Sequence, residues 1–192
     1  LGEDGKRLSK RHGALGVREY AGLGILPEAL KNYLLRLGWS MGDDEIFNGE
    51  DMKKNFQLGI LNKSPATFSM DKLLWFNKYY LDQMSLDQLM KVVPPKDFDG
   101  SEYSKTVLET IRDRCSTLNE FSTNADYFFK DPEDYEQSLL LKHCKENTFD
   151  HLSLLKEQLE ALQIWEQAHI KEVIDRVALD LEIGFGKIGL PL

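Results

Sequence analysis

The sequence predicts a mainly α-helical protein preceded by a basic, glycine-bracketed loop. Apolar residues recur at helical spacing in successive stretches from Leu26 to Leu181, capping-type residues stand at several ends of those stretches, and no parallel-sheet pattern is present. The first helix is carried by Leu26, Leu30, Tyr33, Leu34 and Leu37 on one face, with Pro27 in the first turn and Gly38 as the stop. A second is expected over about 70–81 behind Ser69, and a third begins at Ser85, where Gln88 completes the spacing of a capping box and Pro94-Pro95 ends the run. Residues 97–101, with Gly100, then read as a loop and a domain boundary. Further helical segments are expected near 103–114, 117–129 and 133–145, the last started by Asp131 with Pro132 in the first helical position. Leu152, Leu155, Leu159 and Leu162 form the next stripe, and Ile170, Val173, Ile174, Val177 and Leu181 another, before 187–192, which reads as the start of a strand.

The 22.1 kDa chain of 192 residues is long enough for one large or two modest domains, and 42% hydrophobic with 29% charged residues excludes a disordered polymer. No apolar run approaches the roughly 20 residues that cross a bilayer, so no membrane role is expected. The chain opens without an initiator Met and closes on what reads as an interrupted strand, so a piece of a longer protein is expected. No charged-then-apolar leader stands at its start. Cys115 and Cys144 have no paired-cysteine spacing, which suits the reducing cytoplasm.

The formal charge of -8 opposes a generic nucleic-acid coat, but it is unevenly spread. The first twenty residues carry Lys6, Arg7, Lys10, Arg11 and Arg18 against Glu3, Asp4 and Glu19, a local excess of +2, and leave -10 to the remainder. Glycines 2, 5, 13 and 16 bracket this cluster, so residues 2–16 read as a loop able to fold over a polyphosphate, set cations on its oxygens and withdraw. A solvated basic turn would have the same composition.

The wider pattern decides between these. Arg7-Leu8-Ser9-Lys10-Arg11, followed by His12-Gly13-Ala14, resembles the Lys-Met-Ser-Lys-Ser loop of class I aminoacyl-tRNA synthetases. The stretches Val17-Arg18-Glu19-Tyr20, Leu26-Pro27-Glu28-Ala29-Leu30, Asn32-Tyr33-Leu34-Leu35-Arg36-Leu37-Gly38-Trp39-Ser40 and Asp43-Asp44-Glu45-Ile46-Phe47 are similar to bacterial-type glutamyl-tRNA synthetase. So are Asn62-Lys63-Ser64-Pro65-Ala66 and Lys72-Leu73-Leu74-Trp75-Phe76-Asn77-Lys78-Tyr79-Tyr80, in the same order. The resemblance implies a signature loop over 1–20, a helical stem-contact domain over 21–95, and an α-helical cage over 96–192 that binds the anticodon and is truncated at its C-terminal end.

It further implies a catalytic role for Lys10, neutralising ATP phosphates during activation of glutamate, with Ser9, Arg7 and Arg11 completing the ATP-binding loop. Arg7 replaces the family's first lysine, exchanging a flexible point charge for a planar fork, and His12 is expected to be a loop contact. The implied protein is a cytoplasmic monomer. It uses ATP with Mg2+ and L-glutamate, bound through a missing catalytic domain, to charge tRNA(Glu), and the isolated chain is expected to be inactive. The competing reading is a non-catalytic helical interaction module whose basic loop docks an acidic partner. A glutaminyl enzyme shares the loop, but its β-barrel anticodon domain disagrees with the helical pattern after residue 100.

Two motifs are set aside. Gly184-Phe185-Gly186-Lys187-Ile188-Gly189 has the letters of a dinucleotide fingerprint, but a helical pattern precedes it where a strand is needed. His143, Cys144 and His151 lack a fourth ligand at any zinc-like spacing, so no metal site is expected. The aromatic groups Trp75, Phe76, Tyr79, Tyr80 and Phe121, Tyr127, Phe128, Phe129 could stack bases, but at any single position the core is the commoner fate.

Overall fold

A computed structural model describes residues 1–2, 5–7, 15–39, 43–94, 98–131 and 133–191. These residues form helices with no strand among them, grouped into two compact units, Leu1–Asp131 and Pro132–Leu192.

The first unit contains α1 (Glu19–Gly22), α2 (Pro27–Gly38), α3 (Gly49–Asn55), α4 (Met70–Gln83), α5 (Leu86–Val92), α6 (Glu102–Ile111) and α7 (Leu118–Phe129). Its main core joins Ala29, Leu30 and Tyr33 of α2 to Leu73, Phe76 and Leu81 of α4, and to Val107, Leu108, Ile111, Phe121 and Ala125 of α6 and α7. The caps expected at α4 and α5 are present. The Ser69 hydroxyl accepts from Lys72 N at 3.3 Å, and Ser85 and Gln88 close a reciprocal capping box at α5. Gly38 is the last helical residue of α2, and the chain turns extended at Trp39.

Buried polar side chains tie the loops to these helices. Asn77, fully buried on α4, accepts from Leu26 N at 2.7 Å and donates to Gly24 O at 3.2 Å and Ser116 O at 2.7 Å. It therefore serves the uncapped start of α2 and the approach to α7 from one side chain. Asn32, equally buried on α2, donates to Glu45 O and accepts from Phe47 N and the Tyr80 hydroxyl, each at 2.8 Å. Arg112, just past α6, sets one guanidinium nitrogen among the carbonyls of Leu81, Asp82 and Met84, which ties the end of α4 to the turn after α6. Before α6, the Asp99 carboxylate accepts from Ser101 N at 2.9 Å and from the Ser104 hydroxyl at 2.7 Å. Hydrogen bonding from the Ser101 side chain and backbone, and then from Ser104, holds the Asp99 pKa at about 2.

The second unit contains α8 (Gln137–His143), α9 (Thr148–Glu160), α10 (Gln167–Asp180) and α11 (Gly186–Gly189), with Leu155, Val173, Val177, Ala178 and Ile188 as its core. Two expectations are corrected here. Helix α8 starts at Gln137, not near 133, and Pro132 lies outside the described residues. Residues 133–136 offer only Tyr135 as an apolar side chain, and it is 63% exposed, so no burial offsets the cost of a first turn there. The stretch read as an incipient strand contains the single helical turn α11 instead. A strand would put Ile188 and Leu190 on one face, whereas Ile188 is fully buried and Leu190 is 63% exposed.

Two helix ends share one hydrogen-bond pattern with different residues. After α1, Gly24 N bonds Ala21 O and Ile25 N bonds Tyr20 O. After α10, Glu182 N bonds Leu179 O and Ile183 N bonds Ala178 O. The left-handed residue is Gly24 at φ 76 in the first case and Glu182 at φ 54 in the second. Substituting Glu182→Gly is expected to stabilise the second unit by about 0.5–1 kcal/mol, the left-handed cost for a β-carbon less the extra chain entropy of glycine. Urea denaturation measures it. An equal gain from Glu182→Ala would assign the effect to lost charge rather than to φ.

Candidate functional site

The loop is anchored at its N-terminal end. Leu1 N donates to Ala66 O at 2.6 Å and Leu1 O accepts from Phe68 N at 2.8 Å, which ties the start of the chain to the segment entering α4. Gly2 and Gly5 close a tight turn, with Gly2 N bonding Lys6 O at 2.8 Å, Gly5 N bonding Gly2 O at 2.9 Å, and Gly5 at φ 72. Lys6 and Arg7 are exposed beyond it. Of the four residues expected to hold ATP, Arg7 is therefore placed, on the surface and without an ion pair among the described residues. Ser9, Lys10 and Arg11 lie outside the described residues, as does His12. On the far side, Gly16 N donates to a Glu19 carboxylate oxygen at the start of α1.

The aromatic groups divide between core and surface. Phe76 and Phe121 are fully buried, and Tyr80 is tied by its hydroxyl to Asn32 and Phe47 O. Trp75 and Tyr79 are 46% and 36% exposed, their rings stacked at 6.4 Å, with the Lys72 ammonium 4.2 Å from the indole centroid. A stacked pair beside a cation is a surface on which an unpaired base can lie. Helical spacing carried this signal, since 72, 75 and 79 form one stripe of α4 and the buried 73, 76, 77 and 81 form another. Tyr127, 59% exposed on α7, is the other outward ring of the two groups.

Two hollows of the first unit differ in chemistry. In a cleft of about 340 Å³, Glu45 stands between Lys72 at 2.7 Å and Arg36 at 3.8 Å, which neutralises much of the charge a phosphate would need. A hollow of about 530 Å³ between α2 and α3 is lined mainly by Leu34, Leu35, Trp39, Met52, Phe56 and Leu61. Among the described residues neither is lined by a cysteine or a histidine. Burial pushes the Cys115 thiol up from its ordinary pKa, away from the reactive thiolate. No group of three or more His, Cys, Asp or Glu able to hold a metal occurs among the described residues, and none of their helices is long and apolar enough to cross a membrane.

Residues 78–192 match the family described as anticodon binding domain, and residues 1–75 match the catalytic domain of class I tRNA synthetases, E and Q. The chain belongs to this anticodon-binding family, joined to a catalytic-domain segment of the glutamyl and glutaminyl class I synthetases. Solved structures agree. A glutamate tRNA ligase from Elizabethkingia meningosepticum, crystallised with its amino acid, superposes with a TM-score of 0.82 at 28% identity over 100% of this chain. A glutamate-tRNA synthetase from Elizabethkingia anophelis superposes at 0.74 with 26% identity over 97%. The chain spans 43% and 41% of those two proteins.

Proposed function

We propose that the chain is the C-terminal, tRNA-handling part of a cytoplasmic, monomeric glutamate-tRNA ligase. The complete enzyme would join the glutamate carboxylate to ATP, release pyrophosphate, and pass the glutamyl group to the terminal adenosine of tRNA(Glu). Within this chain, residues 1–20 supply the loop over the ATP phosphates, 21–95 contact the inside of the tRNA stem, and 96–192 bind the anticodon arm. Lys10 neutralises the phosphate oxygens as charge builds on the departing pyrophosphate, while Ser9, Arg7 and Arg11 hold the loop against the nucleotide. Mg2+ would accompany ATP on the nucleotide-binding domain, adding charge neutralisation to what Lys10 provides. The observation that carries this reading is the succession of a catalytic-domain segment and an anticodon-binding domain in one chain, superposed along its whole length on a glutamate tRNA ligase.

The reading is tested by titrating the 192-residue chain with tRNA(Glu) and with a non-cognate tRNA at low salt. Cognate binding that is at least several-fold tighter and weakens as salt rises is expected. Absence of any tRNA binding at low salt would overturn it and favour a protein-docking module.

A further inference from the structure

In the second unit, the end of α8 and the Gly184–Leu190 segment face each other across an open cleft of about 390 Å³ lined by Lys142, His143, Lys145, Gly184, Gly186, Lys187 and Leu190. No carboxylate lines it among the described residues. The unit as a whole is acidic, with twelve Asp and Glu against six Lys and Arg, yet half of its cations converge here. All three lysines are exposed, and neither Lys142 nor Lys187 makes an ion pair among the described residues. Cations scattered over a surface with a twofold excess of acid would be expected to lie near carboxylates, so three together without one mark a local reversal of potential.

Helix-end stabilisation accounts for part of this. Lys145 donates to Leu141 O at 2.9 Å, and Lys142 sits in the last turn of α8, where a cation opposes the dipole. Lys187 likewise lies in the single turn of α11, but helix-end stabilisation does not require it to reach the same cleft from the other wall. The glycines matter as well. A β-carbon at Gly184 would meet nothing within 4 Å, and one at Gly186 would meet only the Leu190 side chain at 3.8 Å, so the backbone on that wall is open to close approach.

We infer that this cleft binds phosphate, and that its occupant is the sugar-phosphate backbone of RNA. The inference rests on the tRNA-binding reading and says where that unit grips the backbone. Exposed lysines are flexible point charges suited to a spaced row of phosphates, and they position a duplex or loop without reading its bases. An open cleft suits a polymer passing through better than a small anion enclosed on all sides.

The test compares the wild-type chain with Lys142→Gln/Lys187→Gln for tRNA(Glu) binding across a range of KCl concentrations. Removing one phosphate-neutralising cation flattens the slope of log K against log salt by about 0.7–0.9, so the double variant should reduce the slope by about 1.5. The control Lys156→Gln/Lys171→Gln removes the same charge from the same unit outside the cleft and should leave the slope in place. An equal flattening in the control would assign the effect to net charge and overturn the cleft. Wild-type binding with an unchanged slope in the cleft variant would overturn it while leaving the tRNA reading intact, and no wild-type binding would remove both. Tripolyphosphate titrated by calorimetry separates the sources: weaker affinity in the cleft variant, with the tRNA slope unchanged, would make this a small-anion site and overturn the RNA assignment. Circular dichroism checks folding. Were the double variant to melt early, Lys142→Gln and Lys187→Gln alone carry the test at half the slope change.

Discussion

Asn77→Ala is expected to destabilise the Leu1–Asp131 unit by about 3 kcal/mol, the sum of two stranded backbone groups and a small cavity. The Asn77 side chain holds Leu26 N, Gly24 O and Ser116 O from a fully buried position. Gly24 O would keep one partner, because Leu118 N also donates to it at 3.0 Å. Leu26 N and Ser116 O have no second partner among the described residues, and α2 has no side-chain cap to offer in exchange. With a urea m-value of about 1–3 kcal/mol/M, the midpoint should fall by roughly 1–3 M. Asn77→Asp keeps the acceptor for Leu26 N but loses both donors and sets a charge against two carbonyls, so it should cost at least as much as alanine. A loss below about 1 kcal/mol for alanine would mean that water enters and takes over the bonds.

Long-range contacts of this kind leave no pattern along the chain. The helices α2, α4, α6, α7, α9 and α10 were legible because each buries one face, and Ser69 and Ser85 sit where cap chemistry needs them; the Thr117 cap of α7 is seen only in the fold. Helix α3 was not legible, because Gly49–Asn55 has one apolar residue, Met52, and is started locally by the Asn48 side chain accepting from Glu50 N and Asp51 N. Asn77 is invisible to periodicity for a related reason. An asparagine inside a helix has poor propensity, and its three partners lie 39 to 53 positions away in other elements. The candidate site divides in the same way. The basic loop was legible as a motif of adjacent cations and glycines, whereas the cleft of the second unit joins Lys142 to Lys187 across 45 positions and needs the fold to bring them together. Gly184–Gly189, set aside as a nucleotide fingerprint, supplies one wall of that cleft through its open backbone rather than through the motif's strand and helix.

Lys10→Ala, introduced into the complete enzyme, is expected to slow glutamate activation at least tenfold, which is about 1.4 kcal/mol or more of transition-state stabilisation. The effect is electrostatic. Negative charge accumulates on the β- and γ-phosphate oxygens as the bond to the α-phosphorus breaks, and a loop cation delivered at that moment lowers the barrier without having to bind ground-state ATP tightly. The deficit should therefore appear in the rate of adenylate formation measured before steady state, with a smaller change in the ATP concentration needed for half-saturation. Lys10→Arg separates charge from shape: it keeps the cation but spreads it over a planar fork, and partial recovery of the rate is expected. Arg7 can be examined in the same assay. It is exposed past the Gly2–Gly5 turn, and Arg7→Lys, which restores the family's residue, should hold or raise the rate if that position meets phosphate. An unchanged pre-steady-state rate in Lys10→Ala would remove Lys10 from the mechanism. The isolated 192-residue chain should not activate glutamate, because a loop that only neutralises phosphates needs a nucleotide bound elsewhere. Glutamate-dependent ATP-pyrophosphate exchange by that chain alone would show that it holds a complete site and that the division of labour proposed for Lys10 is wrong.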